Sequence, residues 1–270
     1  MDFFASILRF LDTAMETPTC YGLFHILWLV GFALATVALC LWHRKHPLDQ
    51  RKVILSVSVA VIILELYKQL NFSFSYENGV VFDYQWYAFP FQFCSTPMYV
   101  GLLAGIIKKG KVHDALCAYL STFAIFAGAA VMVYPGDVFI QTIGINIQTM
   151  VCHGSMILVG VYLLATNYVK SEHKTILKAA CVFVVCLGIA MVLNEIAHRT
   201  GLLETDTFNM FYISPYCDPH LPVFSLVQPL LPYPLELVVY ILGFTAAAYI
   251  MLLLSMAAKS MAKKKAKQTV

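Results

Sequence analysis

The sequence predicts an all-α, polytopic membrane bundle of seven transmembrane helices, and three observations predict it: composition, long apolar runs and the placement of basic residues. Hydrophobic residues make up 60% of the 270 and charged residues 12%, against roughly 25% charged in soluble domains. Mean hydropathy is +0.75. Several apolar runs reach the roughly 20 residues that a helix needs to cross the hydrocarbon, and none shows the alternation of a barrel strand. The formal net charge is only +3, but the basic residues collect in alternate connections, which is the pattern of an oriented bundle.

The elements follow in order within a single domain, 1–270. In residues 1–15, Phe3, Phe4, Ile7, Leu8 and Leu11 recur at helical spacing beside Asp2, Arg9 and Asp12, as expected of a short helix lying in the membrane interface. The N-terminus lacks the features of a removable signal peptide, so the first span is expected to be retained. Seven spans are predicted: Tyr21 to Trp42, Lys52 to Leu70, Ala88 to Ile107, Val112 to Tyr134, Gln141 to Thr166, Leu177 to His198, and Pro234 to Met256. Arg44, Lys45, Arg51 and Lys52 fall in one connection, Lys108, Lys109 and Lys111 in the next alternate one, then Lys170, Lys174 and Lys178, and finally the basic tail 259–270. By the positive-inside rule these are cytoplasmic, leaving the N-terminus outside and the C-terminus inside. The run Lys263, Lys264 and Lys265 reads as an anchor to anionic lipid, not as a nucleic-acid site. The outer segment 199–233 contains Asn209-Met210-Phe211-Tyr212-Ile213, too apolar for a solvated linker, and is expected to fold back as a lid. No internal repeat is present, which gives the nested-repeat transporter architecture no support.

Polar residues inside such a bundle are costly and face its interior, so they mark candidate sites. At a rise of 1.5 Å per residue, Cys94 lies about 9 to 12 Å below the outer boundary, Glu65 about 9 Å, and His25 and Asn194 about 6 Å. His153 lies about 18 Å deep counted from Gln141, or nearer 10 Å if Asn146 and Gln148 mark the boundary. Asn146, Thr149 and His153 form one stripe of the fifth predicted helix. Spacing pairs Glu65 with Lys68 or Gln69, Asn194 with His198, and Glu195 with Arg199. Either ion pairing near the interface or lipid-headgroup binding explains these charges.

Eight cysteines give neither a CxxC pair nor zinc spacing; Cys20 and Cys217 share the predicted outer side and can pair by location. No metal motif joins His25, Glu65 and His153, which sit on separate spans. Alone, Cys94 reads most simply as a small buried hydrophobe. Its neighbours alter that reading: Pro90 and Pro97 bracket it and make irregular backbone available. A histidine beside it can generate a thiolate, and free amides, Gln92 or Ser95 can stabilise an oxyanion. His25 and His153 are both candidate bases.

These residues resemble the YwaF family of bacterial membrane proteins, which is related to the transmembrane protein 164 family of eukaryotes. The resemblance runs through His25-Ile26-Leu27-Trp28, Phe89-Pro90-Phe91-Gln92-Phe93-Cys94, His153, and Asn194 with Asn209-Met210-Phe211. It implies an acyltransferase acting on phospholipid through a cysteine acyl-enzyme, with Cys94 at the nucleophile position and His153 at the histidine position, in a bacterial cell membrane. One departure stands out. Bacterial members commonly carry a histidine two residues before the cysteine, where this chain has Gln92, so any base must come from His153 or His25.

The reading is therefore a membrane-embedded lipid acyltransferase or lipid hydrolase near the outer leaflet. Its substrate is membrane phospholipid or another acyl lipid, it needs no cofactor, and His25, Glu65, Gln92, Asn146, Asn194 and Asn209 bind or orient. A transport or binding protein using Glu65, Lys68, His153 and Glu195 is the first alternative, and a non-catalytic membrane scaffold the second. Sparse polar residues in the inner halves count against transport.

Overall fold

The computed structural model describes residues 3–75, 79–201, 207–218, 221 and 224–268. Parts of the predicted outer segment (202–206, 219, 220, 222 and 223), with 1, 2, 76–78, 269 and 270, lie outside the described residues. Six helical runs are long and apolar enough to cross a membrane: Leu23–Lys45, Gln50–Asn71, Lys111–Val133, Ile143–Ala165, His173–Thr200 and Tyr233–Lys265. Each overlaps a predicted span. Many of the large apolar side chains they expose, such as Leu27, Leu34, Val185 and Leu242, have the outward character of a lipid-facing surface.

The chain opens on α1 (Phe3–Leu11), which points Phe3 and Phe10 outward and buries Ala5 and Leu8. Helices α2 (Leu23–Lys45) and α3 (Gln50–Asn71) follow. Asp49 caps α3, its carboxylate accepting from the Arg51 backbone N–H at 3.0 Å, which satisfies one of the orphan donors of the first turn. Beyond α3, Phe74–Ser75 pairs antiparallel with Val81–Phe82 in a two-stranded ribbon, a small addition to the all-α expectation.

The predicted span from Ala88 to Ile107 is helical only over α4 (Thr96–Ile106), an 11-residue helix. Residues 90–95 form successive turns. Pro97 can begin a helix because the first turn needs no N–H donors, but it cannot supply one to the Phe93 carbonyl. The Thr96 hydroxyl takes that place, donating to the Phe93 carbonyl at 2.9 Å. At the other end Arg51 Nη2 donates to the carbonyls of Gly105 and Ile106, at 3.2 and 2.8 Å.

The fourth predicted span is broken into α5 (Lys111–Leu120) and α6 (Phe123–Val133). At the break Thr122 has φ −136° and ψ −77°, and its hydroxyl donates to the Ala118 carbonyl at 2.8 Å. Helix α7 (Ile143–Ala165) lies against this junction and is buried along much of its length. Gly160 permits the approach, since a Cβ there would lie 2.6 Å from the Leu120 carbonyl oxygen; at Gly128 on α6 it would lie 2.5 Å from the His153 carbonyl oxygen. Close packing of this kind fixes helix positions because the interior has no slack.

Helix α8 (His173–Thr200) ends at Gly201 with φ +58°, a left-handed stop that glycine accommodates without strain. Phe208, Met210, Phe211 and Ile213 are buried, so residues 208–213 form a wall of the bundle. A short α9 (Phe224–Val227) leads to α10 (Tyr233–Gln268), which carries the basic tail as continuous helix. Phe93, Phe123, Phe183, Phe211, Tyr240 and Phe244 form an aromatic cluster, with Phe123 and Phe183 stacked at 4.6 Å and Tyr240 and Phe244 at 4.3 Å. It joins the turn before α4 to α6, α8, the inward wall and α10.

All eight cysteines are free thiols, so Cys20 and Cys217 are not joined in this structure.

Candidate functional site

Cys94 sits in the last turn before α4, one residue ahead of the N-cap Ser95. It is partly buried against the core, and the Ser95 side chain is a hydrogen-bonding neighbour of its sulfur. The N-terminal end of a helix carries partial positive charge. The Ser95 and Thr96 N–H groups, however, both donate to the Gln92 carbonyl, at 2.8 and 3.2 Å. These two amides are thus occupied and are not a ready oxyanion pocket.

The two candidate bases have different surroundings. His25, fully buried in the first turn of α2, accepts from the Tyr21 N–H at Nδ1 (2.9 Å) and donates from Nε2 to the Met132 carbonyl (2.9 Å). Those bonds hold Tyr21 at φ +61° and tie α2 to α6. They leave neither ring nitrogen free, which argues against His25 as a base. His153 donates from Nδ1 to the Thr149 carbonyl at 2.7 Å, and its Nε2 is buried with no hydrogen-bond partner. With the proton on Nδ1, Nε2 carries an unshared pair, the state that a general base requires. It is not bonded to the Cys94 thiol here. Cys94 and His153 both lie within electrostatic reach of Lys68, Cys94 also within reach of Glu65, and Cys152, next to His153, lies within reach of Cys94.

Lys68 belongs to a buried polar network on α3. Glu65, 5% exposed, bonds Lys68 at 2.8 Å, Gln69 Nε2 at 2.7 Å and Gln148 Nε2 of α7 at 3.1 Å. Gln69 also donates to the Ala88 carbonyl at 2.9 Å and accepts from the Tyr84 hydroxyl at 2.5 Å. Sequence spacing offered Lys68 or Gln69 to Glu65; the carboxylate takes both. Burial beside that carboxylate pushes the Tyr84 phenol up to about 12, so it remains a donor. Tyr84 carries no periodic signal in the sequence.

The amide side chains hold backbone. Gln92 donates to the Asn209 carbonyl and accepts from the Phe211 N–H, both at 2.9 Å. Asn194 pairs with both polar groups of the Met210 backbone, at 3.0 and 2.8 Å. Asn209 accepts from the Ser214 N–H at 2.9 Å. Asn146 pairs in the same way with the Ile140 backbone, at 2.9 and 2.7 Å. The spacing-based pairing of Asn194 with His198 is therefore incorrect: unpaired loop backbone is the stronger claimant, because burying it unbonded costs more. His198 stacks on Tyr216 instead. Glu195 and Arg199 do form their expected pair, at 2.5 Å.

A narrow apolar crevice of about 30 Å³ runs between α3, α4 and α7, lined by Val57, Ser58, Met98, Cys152 and Met156 among others. One further constellation went unread in the sequence. His113 and Cys117 face each other one helical turn apart on α5, with the sulfur 3.7 Å from Nε2, and their i, i+4 spacing was the available signal. No group of three metal-ligating side chains occurs among the described residues.

Comparison with curated proteins gives no significant match, and comparison with solved structures gives none either. A family model does match, over residues 20–255, from just before α2 nearly to the basic end of α10. That match takes in Cys94, His153 and the clamped wall at 209–211, and the chain is an integral membrane protein belonging to the TMEM164 family.

Proposed function

We propose that this protein is a membrane-embedded lipid acyltransferase or lipid hydrolase, with Cys94 as nucleophile and His153 as base. The observation that supports it most is the free Nε2 of His153, set against the fully bonded ring of His25. His153 Nε2 takes the Cys94 proton, and the thiolate attacks the ester carbonyl of a phospholipid. The positive end of α4 favours the negative charge, first on sulfur and then on the carbonyl oxygen. Collapse of the tetrahedral intermediate breaks the ester C–O bond. The leaving alkoxide takes the proton from His153, leaving a Cys94 thioester. An acceptor alcohol or water then gives its proton to Nε2, attacks the thioester, and releases Cys94 as the thiol.

The apolar crevice beside Cys152 suits the acyl chain, which must widen it to enter. Gln92, Asn194 and Asn209 position the site indirectly: they hold the wall at 209–211 against the Cys94 turn, and Asn146 fixes the entry to α7. In this reading the short α4 with its preceding turns is the seventh span. The N-terminus lies outside with α1 in the interface, the 199–233 segment closes over the outer mouth, and the basic tail meets anionic lipid on the cytoplasmic side. The YwaF branch and a bacterial cell membrane complete the proposal.

The test incubates purified protein with labelled phospholipid. Wild type is expected to form a hydroxylamine-sensitive acyl adduct and to release lysolipid, whereas Cys94→Ala does neither. Equal turnover by the two proteins would end the cysteine mechanism. The transport alternative draws less support from the geometry, because Glu65, Lys68, Gln69 and Gln148 satisfy one another.

A further inference from the structure

At the end of the bundle away from Cys94, a pocket of about 420 Å³ opens between α5, the α7–α8 connection and the start of α8. Lys109, Lys170 and Lys178 line it, with the carboxylates Asp114 and Glu172 and the buried ring of His113. Lys178 lies 3.7 Å from Asp114, a loose exposed pair, and Lys109 lies over the Tyr168 ring at 4.8 Å. Among the described residues Lys170 makes no ion pair. Two more cations adjoin the pocket: Arg51 is within electrostatic reach of His113, and Lys259 of α10 bonds Asn167 at its rim at 2.8 Å. Asp49, within reach of Tyr168, adds one further carboxylate. Cations drawn from five separate parts of the chain thus converge on a cavity that holds too few anions to match them.

The flanks are apolar. Val112, in the first turn of α5 and three residues after Lys109, is 61% exposed, and Leu177, next to Lys178 in α8, is 67% exposed. A cationic cavity edged by exposed aliphatic side chains at a bundle end matches a lipid in both of its parts, headgroup in the pocket and chains along the flank. A soluble anion would have no use for the aliphatic edge.

We infer that this pocket binds the phosphate headgroup of an anionic phospholipid, held by Lys109, Lys170 and Lys178. It is separate from the proposed reaction centre and does not depend on it. The basic run Lys263–Lys265 on α10 is a rival source of any lipid preference.

The test uses the full chain in phosphatidylcholine nanodiscs doped with phosphatidylglycerol, with retained lipid counted by native mass spectrometry. Wild type should retain phosphatidylglycerol selectively. Lys170→Gln with Lys178→Gln should weaken that retention by about thirtyfold, in line with roughly 1 kcal/mol for each basic residue at an anionic membrane surface. Neutralising Lys263, Lys264 and Lys265, which do not line the pocket, should weaken retention by less than the Lys170→Gln, Lys178→Gln pair does. The charge-keeping pair Lys170→Arg and Lys178→Arg guards against misfolding and should retain the lipid. Cys94→Ser should also retain it, whatever becomes of the thiol chemistry. Loss only in the tail variant, or equal loss in the Arg and Gln variants, would overturn the inference. Competition by inorganic phosphate as effective as that by phosphatidylglycerol would assign the pocket to a soluble anion and overturn the lipid reading.

Discussion

His25 and His153 are both buried, both near the first half of an apolar helix, and both bonded to a backbone carbonyl. They differ in one hydrogen bond. His25 is used on both nitrogens and joins the turn at Tyr21 to the end of α6; His153 is used on one, leaving Nε2 inside the protein with nothing to accept. A buried acceptor without a donor costs free energy, so the first arrangement adds stability and the second spends some of it. The contrast separates a histidine that holds the fold from one equipped to take a proton, which depth and burial alone do not.

Substitution sharpens this contrast. Replacing His153 with Gln should lower lipid turnover by about 10²- to 10⁴-fold, the usual share of a general base, while the melting temperature moves little because one backbone bond is at stake. Removal of His25 should do the reverse. His25→Phe leaves the Tyr21 N–H and the Met132 carbonyl unpaired, and a loss of about 1–3 kcal/mol is expected in reversible unfolding, with turnover per folded molecule nearly unchanged. Equal losses of activity in the two variants would break the distinction.

The same division governs what the sequence makes legible. Runs such as α2, α7 and α8 are readable because hydropathy is summed over about 20 residues. The turn at Cys94 is readable from Pro90 and Pro97, since each proline removes a donor whatever surrounds it. The break between α5 and α6 is not: Ser121 and Thr122 are tolerated within helices, and the kink accompanies the close seating of Gly160 against Leu120. Cys94 and His153 stand out as residue types in an apolar setting. The vacancy at Nε2 does not, because it depends on which way the ring points. Asn194 shows how spacing misleads, since its helical neighbour His198 lost to the Met210 backbone sixteen residues away.

Clamp residues should fall between the two histidines in effect. Gln92→Ala frees the Asn209 carbonyl and the Phe211 N–H, and should cost about 1–2 kcal/mol while accelerating hydrogen exchange at 209–211. Because the clamped wall packs against the Cys94 turn through Phe93 and Phe211, turnover should fall with it, though by less than in His153→Gln.

The smallest effect concerns pH. Tyr84 titrates at 10.0 as a free phenol and at about 12 in the folded protein, raised by burial and then by the Glu65 carboxylate. Its neutral form donates to Gln69, and its anion would face the Glu65 network. Since the folded value is the higher one, the folded state binds more protons between pH 10 and 12, and stability falls as pH rises through that window. Below pH 10 the contribution is complete. Other groups also titrate there, so the informative quantity is the difference from Tyr84→Phe, which lacks the phenol. Wild type should lose its margin over the variant between pH 10 and 12 in thermal unfolding. A constant margin across that range would mean that Tyr84 is not coupled to Glu65, and that the polar network on α3 ends at Gln69.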